Sequence, residues 1–215
     1  SLSIIGAVVA VVLVAGIGAY VFMSGHLASR AEQERQALEL RVNTIAETIS
    51  GAVAGAALKL GLVADRAEVA DALVRDDLAA LKSLAAAAGS GVEHLLVLRL
   101  LPENTREPDE SEDPPLGFAS LDMIARARAG DGTVPAEFHM VGTDQAHIAV
   151  LRPIRSVDGR LLGFAHGSFS PALLTEQVTG LAGDGWLEVT QPVPRAAPRR
   201  IAVAGGAAPA AGAPV

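Results

Sequence analysis

HIAVLRPIRSVDGRLLGFAHGSF, residues 147–169, decides the fold. Two strand-like apolar runs, His147–Arg155 and Arg160–Phe169, flank the pair Asp158-Gly159. An Asp-Gly between such runs predicts a tight hairpin, because Gly159 takes the positive φ that the turn requires and Asp158 tolerates it. Side chains alternate across a strand. A two- or four-residue connection therefore groups His147, Ala149, Leu151 and Pro153 with Leu162, Phe164, His166 and Ser168 on one face. The other face carries Ile148, Val150, Arg152 and Ile154 with Leu161, Gly163, Ala165 and Gly167, small enough on one strand to admit a helix closely. A three-residue bulged loop would regroup them. The first face holds the polar groups of a small-ligand cavity, which makes His147, Phe164, His166 and Ser168 the candidate ligand-binding residues. His139, His147 and His166 could also meet as a metal-binding trio. Lone strand histidines are more often structural, and no metal is assigned.

Upstream of the hairpin, Ala136–Val141 reads as a further strand and Leu116–Ala129 as a helix stopped by Gly130-Asp131-Gly132. His94–Leu101 has the length and branching of a buried strand, closed by Pro102 and an acidic loop, Glu103–Asp113. That loop lacks the alternating spacing and central glycine of a calcium loop and reads as solvated. Asp65 opens a helical stretch that ends at Gly89 and Gly91. Before it, Leu38, Val42, Ile45, Ile49, Ala52 and Ala56 recur at spacings of four and three. Two readings of this stalk stand: a parallel homodimer seam, or a long helix laying its apolar stripe on its own domain. Fewer than four heptads are sustained, which favours the second.

At the N-terminal end, Leu2–Met23 is 22 residues without a charge, enough to cross about 30 Å of hydrocarbon at about 1.5 Å per residue. The run exceeds a signal-peptide core and lacks a small-x-small cleavage site, so a transmembrane helix is preferred to a cleaved leader. Arg30, Arg35 and Arg41 lean cytoplasmic by the positive-inside rule, whereas sensor domains of this kind usually face outward, and the side is left open. Downstream, Pro171–Val178 reads as a short helix and Trp186–Thr190 as one more strand. From Gln191 onward Pro and Ala dominate, which predicts an extended tether. The expected organisation is a transmembrane helix over 1–26, a stalk helix over 27–64, a sensor domain over 65–191 and an Ala/Pro/Gly-rich disordered linker over 192–215. A long helix, further helices and an antiparallel sheet of about five strands describe an α+β domain of the PAS/Cache type.

Half of the 215 residues are hydrophobic and only 3% aromatic, so much of the apolar content is alanine and the core rests on Leu, Ile, Val and five Phe. A net charge of −7 argues against nucleic acid as a partner. The absence of cysteine excludes disulfides, Cys-ligated metals and thiol catalysis. No nucleophile elbow, zinc-protease, P-loop or dinucleotide fingerprint occurs in a usable context, so no catalytic residue is assigned to this segment. Ser1 is not an initiator methionine and Val215 falls inside a low-complexity stretch, which gives the expectation of a piece of a longer protein.

PPLGFASLDMI at 114–124, AEFHMVGT at 136–143 and HIAVLRPI from His147 are specific enough to carry a resemblance. With the order of anchor, stalk, sheet and Ala/Pro tail, the chain resembles the N-terminal extension of long-form bacterial phosphomannomutase/phosphoglucomutase. The resemblance implies a membrane helix and a Cache-like domain ahead of a linker and the mutase domains. It implies interconversion of hexose 1- and 6-phosphates with Mg²⁺ in a parent protein of the bacterial inner membrane. The family's phosphoserine loop, magnesium loop and sugar-binding motif do not occur in this sequence, so no catalytic residue carries over and no cofactor is assigned to the segment. The expected function is thus a single-pass, membrane-anchoring and regulatory segment of such a mutase. The partners expected are the lipid bilayer, a small-molecule ligand and, through the stalk, a second copy. The alternatives are the input domain of a chemoreceptor or sensor kinase, and a purely structural anchor.

Overall fold

Why the small face of the 147–169 hairpin matters becomes clear in the computed structural model. It describes residues 2–182, 186–193 and 196–206, without the side chains of 2–28, 182, 191–193, 196, 198–199 and 202–204. Helix α1 runs Leu2–Ala64. After it come α2 (Ala67–Val74), α3 (Leu78–Gly89), β1 (Leu95–Pro102), α4 (Phe118–Ala129), β2 (Glu137–His139), β3 (His147–Arg155), β4 (Leu161–Phe169) and α5 (Ala172–Ala182). Strands β5 (Trp186–Val193) and β6 (Ala196–Gly205) follow. The main sheet is antiparallel in the order β1-β4-β3-β2. An α+β fold with a long apolar N-terminal helix is therefore present.

Residues 1–46 and 47–215 form two separate units. In the first, backbone helix covers the expected span Leu2–Met23, whose side chains lie outside the described residues. The stalk residues Leu38 and Val42 are exposed. By length and composition alone the N-terminal helix is apolar enough to cross a membrane, and within the described side chains Ser29–Ala64 passes the same test. That stretch, however, supplies a protein core from Ile49 on.

In the second unit, Ala56, Leu60, Val63 and Ala64 are buried against Ile148, Val150, Ile154, Ala165 and Phe169. The stripe therefore packs on its own domain over this length, as the shorter heptad run favoured. The register explains the fit. Val150 lies opposite Gly167 and Ile154 opposite Gly163, so the face toward α1 has no side chain at two positions of β4. A Cβ built on Gly167 would stand 2.9 and 3.0 Å from the two terminal methyls of Leu60. One built on Gly163 would collide with the carbonyl oxygen of Leu101 on β1. The hairpin turn lies where Asp158-Gly159 put it, with Gly159 at φ 84°, and a register shift between Ile154 and Arg155 follows the seven pairs that keep the two expected faces.

Four expectations are corrected. The single helix after Asp65 is two, because Asp76 adopts φ 53° and Asp77 caps α3 through Ala80 N–H at 2.9 Å. The strand expected over 136–141 is paired only over Glu137–His139, since Met140 turns to φ 53°. Among the described residues the main sheet has four strands rather than about five, because β5 pairs with β6 instead. The tether expected from residue 192 is instead a hairpin with β5 as far as Gly205, and 207–215 lie outside the described residues. Pro192 and Pro198 fall in the irregularity of the ladder between Gln191 and Val193, where neither is paired. Glu188 binds Arg200 at 3.0 Å across the pair, and the Arg200 guanidinium lies 6.0 Å from the centre of the Trp186 ring.

Since the α1–β4 contact needs bare backbone, Gly167→Ala is expected to lower unfolding free energy by about 1–3 kcal/mol, an overpacking cost. Gly163→Ala, which meets main chain rather than mobile methyls, is expected to cost more. Denaturant titration of the two variants checks both the losses and their order.

Candidate functional site

Strand alternation also builds the opposite face. Ala149 pairs with Ser168, Leu151 with His166 and Pro153 with Phe164, and His147 continues the row from β3. The four candidate residues do share a face. On β1, Arg99 pairs with His166 and so joins it. This face is covered rather than open: α4 lays Met123, Ile124 and Ala127 over Ala149, Leu151 and Phe164. Phe164 is a core residue of that layer. What lies beside it is a buried polar cluster of Arg99, Ser120, His139, His147, His166 and Ser168.

The hydrogen bonds in the cluster fix its proton positions once the imidazoles are neutral. Burial is the main cause that holds all three below the ordinary histidine range, with His166 pushed down to about 3. The Arg99 guanidinium adds to the depression of His166 and His147. Glu137 can only accept, so His139 Nε2 donates to it at 3.4 Å and leaves Nδ1 to accept the Ser120 hydroxyl at 3.3 Å. Ser120 Oγ then accepts from His166 Nε2 at 3.1 Å, and His166 Nδ1 is left bare. His147 Nδ1 donates to the Gln145 carbonyl at 2.8 Å, which leaves its Nε2 bare as well. Those two nitrogens, Ser168 Oγ, and Nε and Nη1 of Arg99 have no hydrogen-bond partner among the described residues.

Arg99 is the hub of the arrangement and is 5% exposed. Its Nη2 donates to the Pro114 carbonyl at 2.7 Å, and its Nε faces Glu112 Oε2 at 3.5 Å. Burial lowers its affinity for a proton, while Glu112 and Asp109 oppose that shift. On the groove side Arg99 lines a cavity of about 760 Å³ beside the edge strand β1, with α3 as one wall and residues 109–113 as the other. That volume falls in the range of small-molecule sites.

No family model, curated protein or solved structure matches the chain. The site is therefore argued on chemistry alone. His147, Phe164, His166 and Ser168 meet as grouped, but they form a floor under α4, and the accessible groove begins at Arg99. The acidic loop is not merely solvated, since Glu112 turns in to Arg99 and Asp113 accepts from Gln145 at 2.9 Å. Sequence did hold a signal for Arg99: one charge inside the apolar run HLLVLRLL, followed by a loop rich in the opposite charge.

A separate group of possible cation ligands lies elsewhere in the domain. His94, at φ 60°, sets Nε2 3.2 Å from Glu176 and 3.9 Å from Glu93. The three donor atoms lie within 4.8 Å of one another. Both carboxylates are largely exposed, and the geometry is that of an ordinary surface ion pair.

The buried neutral histidines link stability to pH. A folded pKa depressed below the unfolded 6.5 means the unfolded chain binds more protons between the two values. Stability is therefore full above about pH 6.5 and is lost as pH falls toward about 3, by on the order of a few kcal/mol. Denaturant midpoints measured across this window are expected to fall in the native chain and to fall less steeply in His166→Gln. Equal slopes would contradict the assignment.

Proposed function

We propose that this chain is the membrane-anchoring and regulatory segment of a larger inner-membrane protein, a phosphomannomutase/phosphoglucomutase of the long form that its sequence resembles. One observation carries the reading. A single helix, α1, contains the uncharged stretch Leu2–Met23 and also contributes Leu60 to the core beneath β4, the strand whose other face bears His166 and Ser168. A ligand that shifts β4 shifts the packing of that helix. Exposed Leu38 and Val42 offer the surface for a homodimer through the stalk. The PAS/Cache assignment is supported by the four-stranded antiparallel sheet with helices on both faces. Hexose phosphate interconversion, with its Mg²⁺, belongs in this proposal to mutase domains of the parent, because the residues that would carry phosphate are missing from this sequence.

The test has two arms. Deletion of residues 2–23 is expected to move the chain from the membrane pellet to the supernatant. Protein captured from its source cells with an antibody against residues 47–200 is expected to convert glucose 1-phosphate in a coupled assay with Mg²⁺. Membrane retention after the deletion would remove the anchor, and captured material without mutase activity would leave the receptor-input reading instead.

A further inference from the structure

We infer that the groove beside β1 takes a small monocarboxylate with an aliphatic body, and that Glu112 holds the carboxylate's place on Arg99 when the groove is empty. The inference rests on the reading of the domain as a regulatory module. Arg99 is almost wholly buried, yet two of its nitrogens lack a hydrogen-bond partner among the described residues. At 3.5 Å the Glu112 oxygen is an ion-pair partner and too distant for a good hydrogen bond. Glu112 is also the carboxylate free to leave. Its side chain is 34% exposed, whereas Asp109 accepts from Ser111 N–H at 2.9 Å and Asp113 from Gln145 at 2.9 Å.

Exchange of one carboxylate for another keeps the buried guanidinium compensated throughout, so binding creates no unpaired buried charge. The incoming group can gain what Glu112 lacks, namely charge-assisted bonds to Nε and Nη1. The walls select the rest of the ligand. Leu78 of α3 and Leu96 of β1, both exposed, offer an apolar surface along the groove. Asp109, Glu112 and Asp113 outnumber Lys82 and Arg99 among the charges that line it, which disfavours a second negative charge on the ligand. A phosphate monoester or a dicarboxylate is thereby discriminated against, and a monocarboxylate is accepted. Binding frees Glu112, so the loop over residues 109–113 reports occupancy.

Titration calorimetry on the full chain in nanodiscs, with empty nanodiscs subtracted, tests this using butyrate, hexanoate, glutarate and glucose 1-phosphate as probes. Hexanoate is expected to bind at one site, about fourfold tighter for each CH₂ it has beyond butyrate. Glutarate and glucose 1-phosphate are expected to bind at least tenfold more weakly. Glu112→Ala should tighten hexanoate several-fold, and Arg99→Lys should weaken it at least tenfold. If Arg99→Lys does not fold, the loop variant decides, because Glu112 is half-exposed and outside the core. No hexanoate binding to native chain or Glu112→Ala overturns the proposal, as does unchanged affinity in Glu112→Ala or equal affinity for glutarate. Should these fail while the membrane and mutase arms hold, the ligand assignment alone falls.

Discussion

The structure depends on a helix lying directly on the backbone of a strand. Leu60 of α1 occupies the space that a side chain at Gly167 would fill, and α2 also comes close at Gly163, where Leu73 lies 3.2 Å from the position of a Cβ. The remaining arrangement follows from that contact. With β4 stripped to Gly163, Ala165 and Gly167 on one face, β3 supplies the volume there through Ile148, Val150 and Ile154. From Gly163 to Ser168 the large or polar groups of β4 are then confined to the other face, where Phe164, His166 and Ser168 lie. The apolar layer and the polar cluster are two sides of one alternation.

The two faces differ in what they can do. The α1 side is an apolar contact of Ala, Leu, Val, Ile and Phe side chains that holds a helix in one place. The α4 side is a network of short polar side chains in which buried imidazoles are kept neutral and a guanidinium is compensated from a surface loop. Partly satisfied polar groups in a low dielectric are costly, and their orphaned atoms favour whatever supplies the missing bonds. The loop that carries Glu112 supplies the carboxylate that faces Arg99.

How much of this was legible in the sequence depended on whether the signal was local. Asp158-Gly159 and the flanking runs located the hairpin and its turn, whereas the two faces were legible only for a two- or four-residue connection, and a register shift between Ile154 and Arg155 lies between the turn and the pairs that keep them. The stripe was legible as apolar from Leu38 to Ala56, but only the missing side chains of Gly163 and Gly167 decide that the helix meets this sheet, which it does through Leu60 beyond the stripe's end. The site was partly visible. His147, His166 and Ser168 were found by alternation. Arg99, Ser120 and Glu112 come from three other segments whose pairing is set by tertiary packing, and so they were missed. The tail was misread because composition counts prolines without regard to position, and the ribbon leaves Pro192 and Pro198 unpaired at an irregularity of its ladder.

The central claim is that the last turns of α1 belong to the sheet domain's own cooperative core. Native-state hydrogen exchange of the full chain measures this directly. The account predicts that amides of Ala56–Ala64 share the protection and the denaturant dependence of those in β4, Leu161–Phe169, as one unit. Exchange of Ala56–Ala64 by local opening, orders of magnitude faster than β4 and without its denaturant dependence, would contradict it.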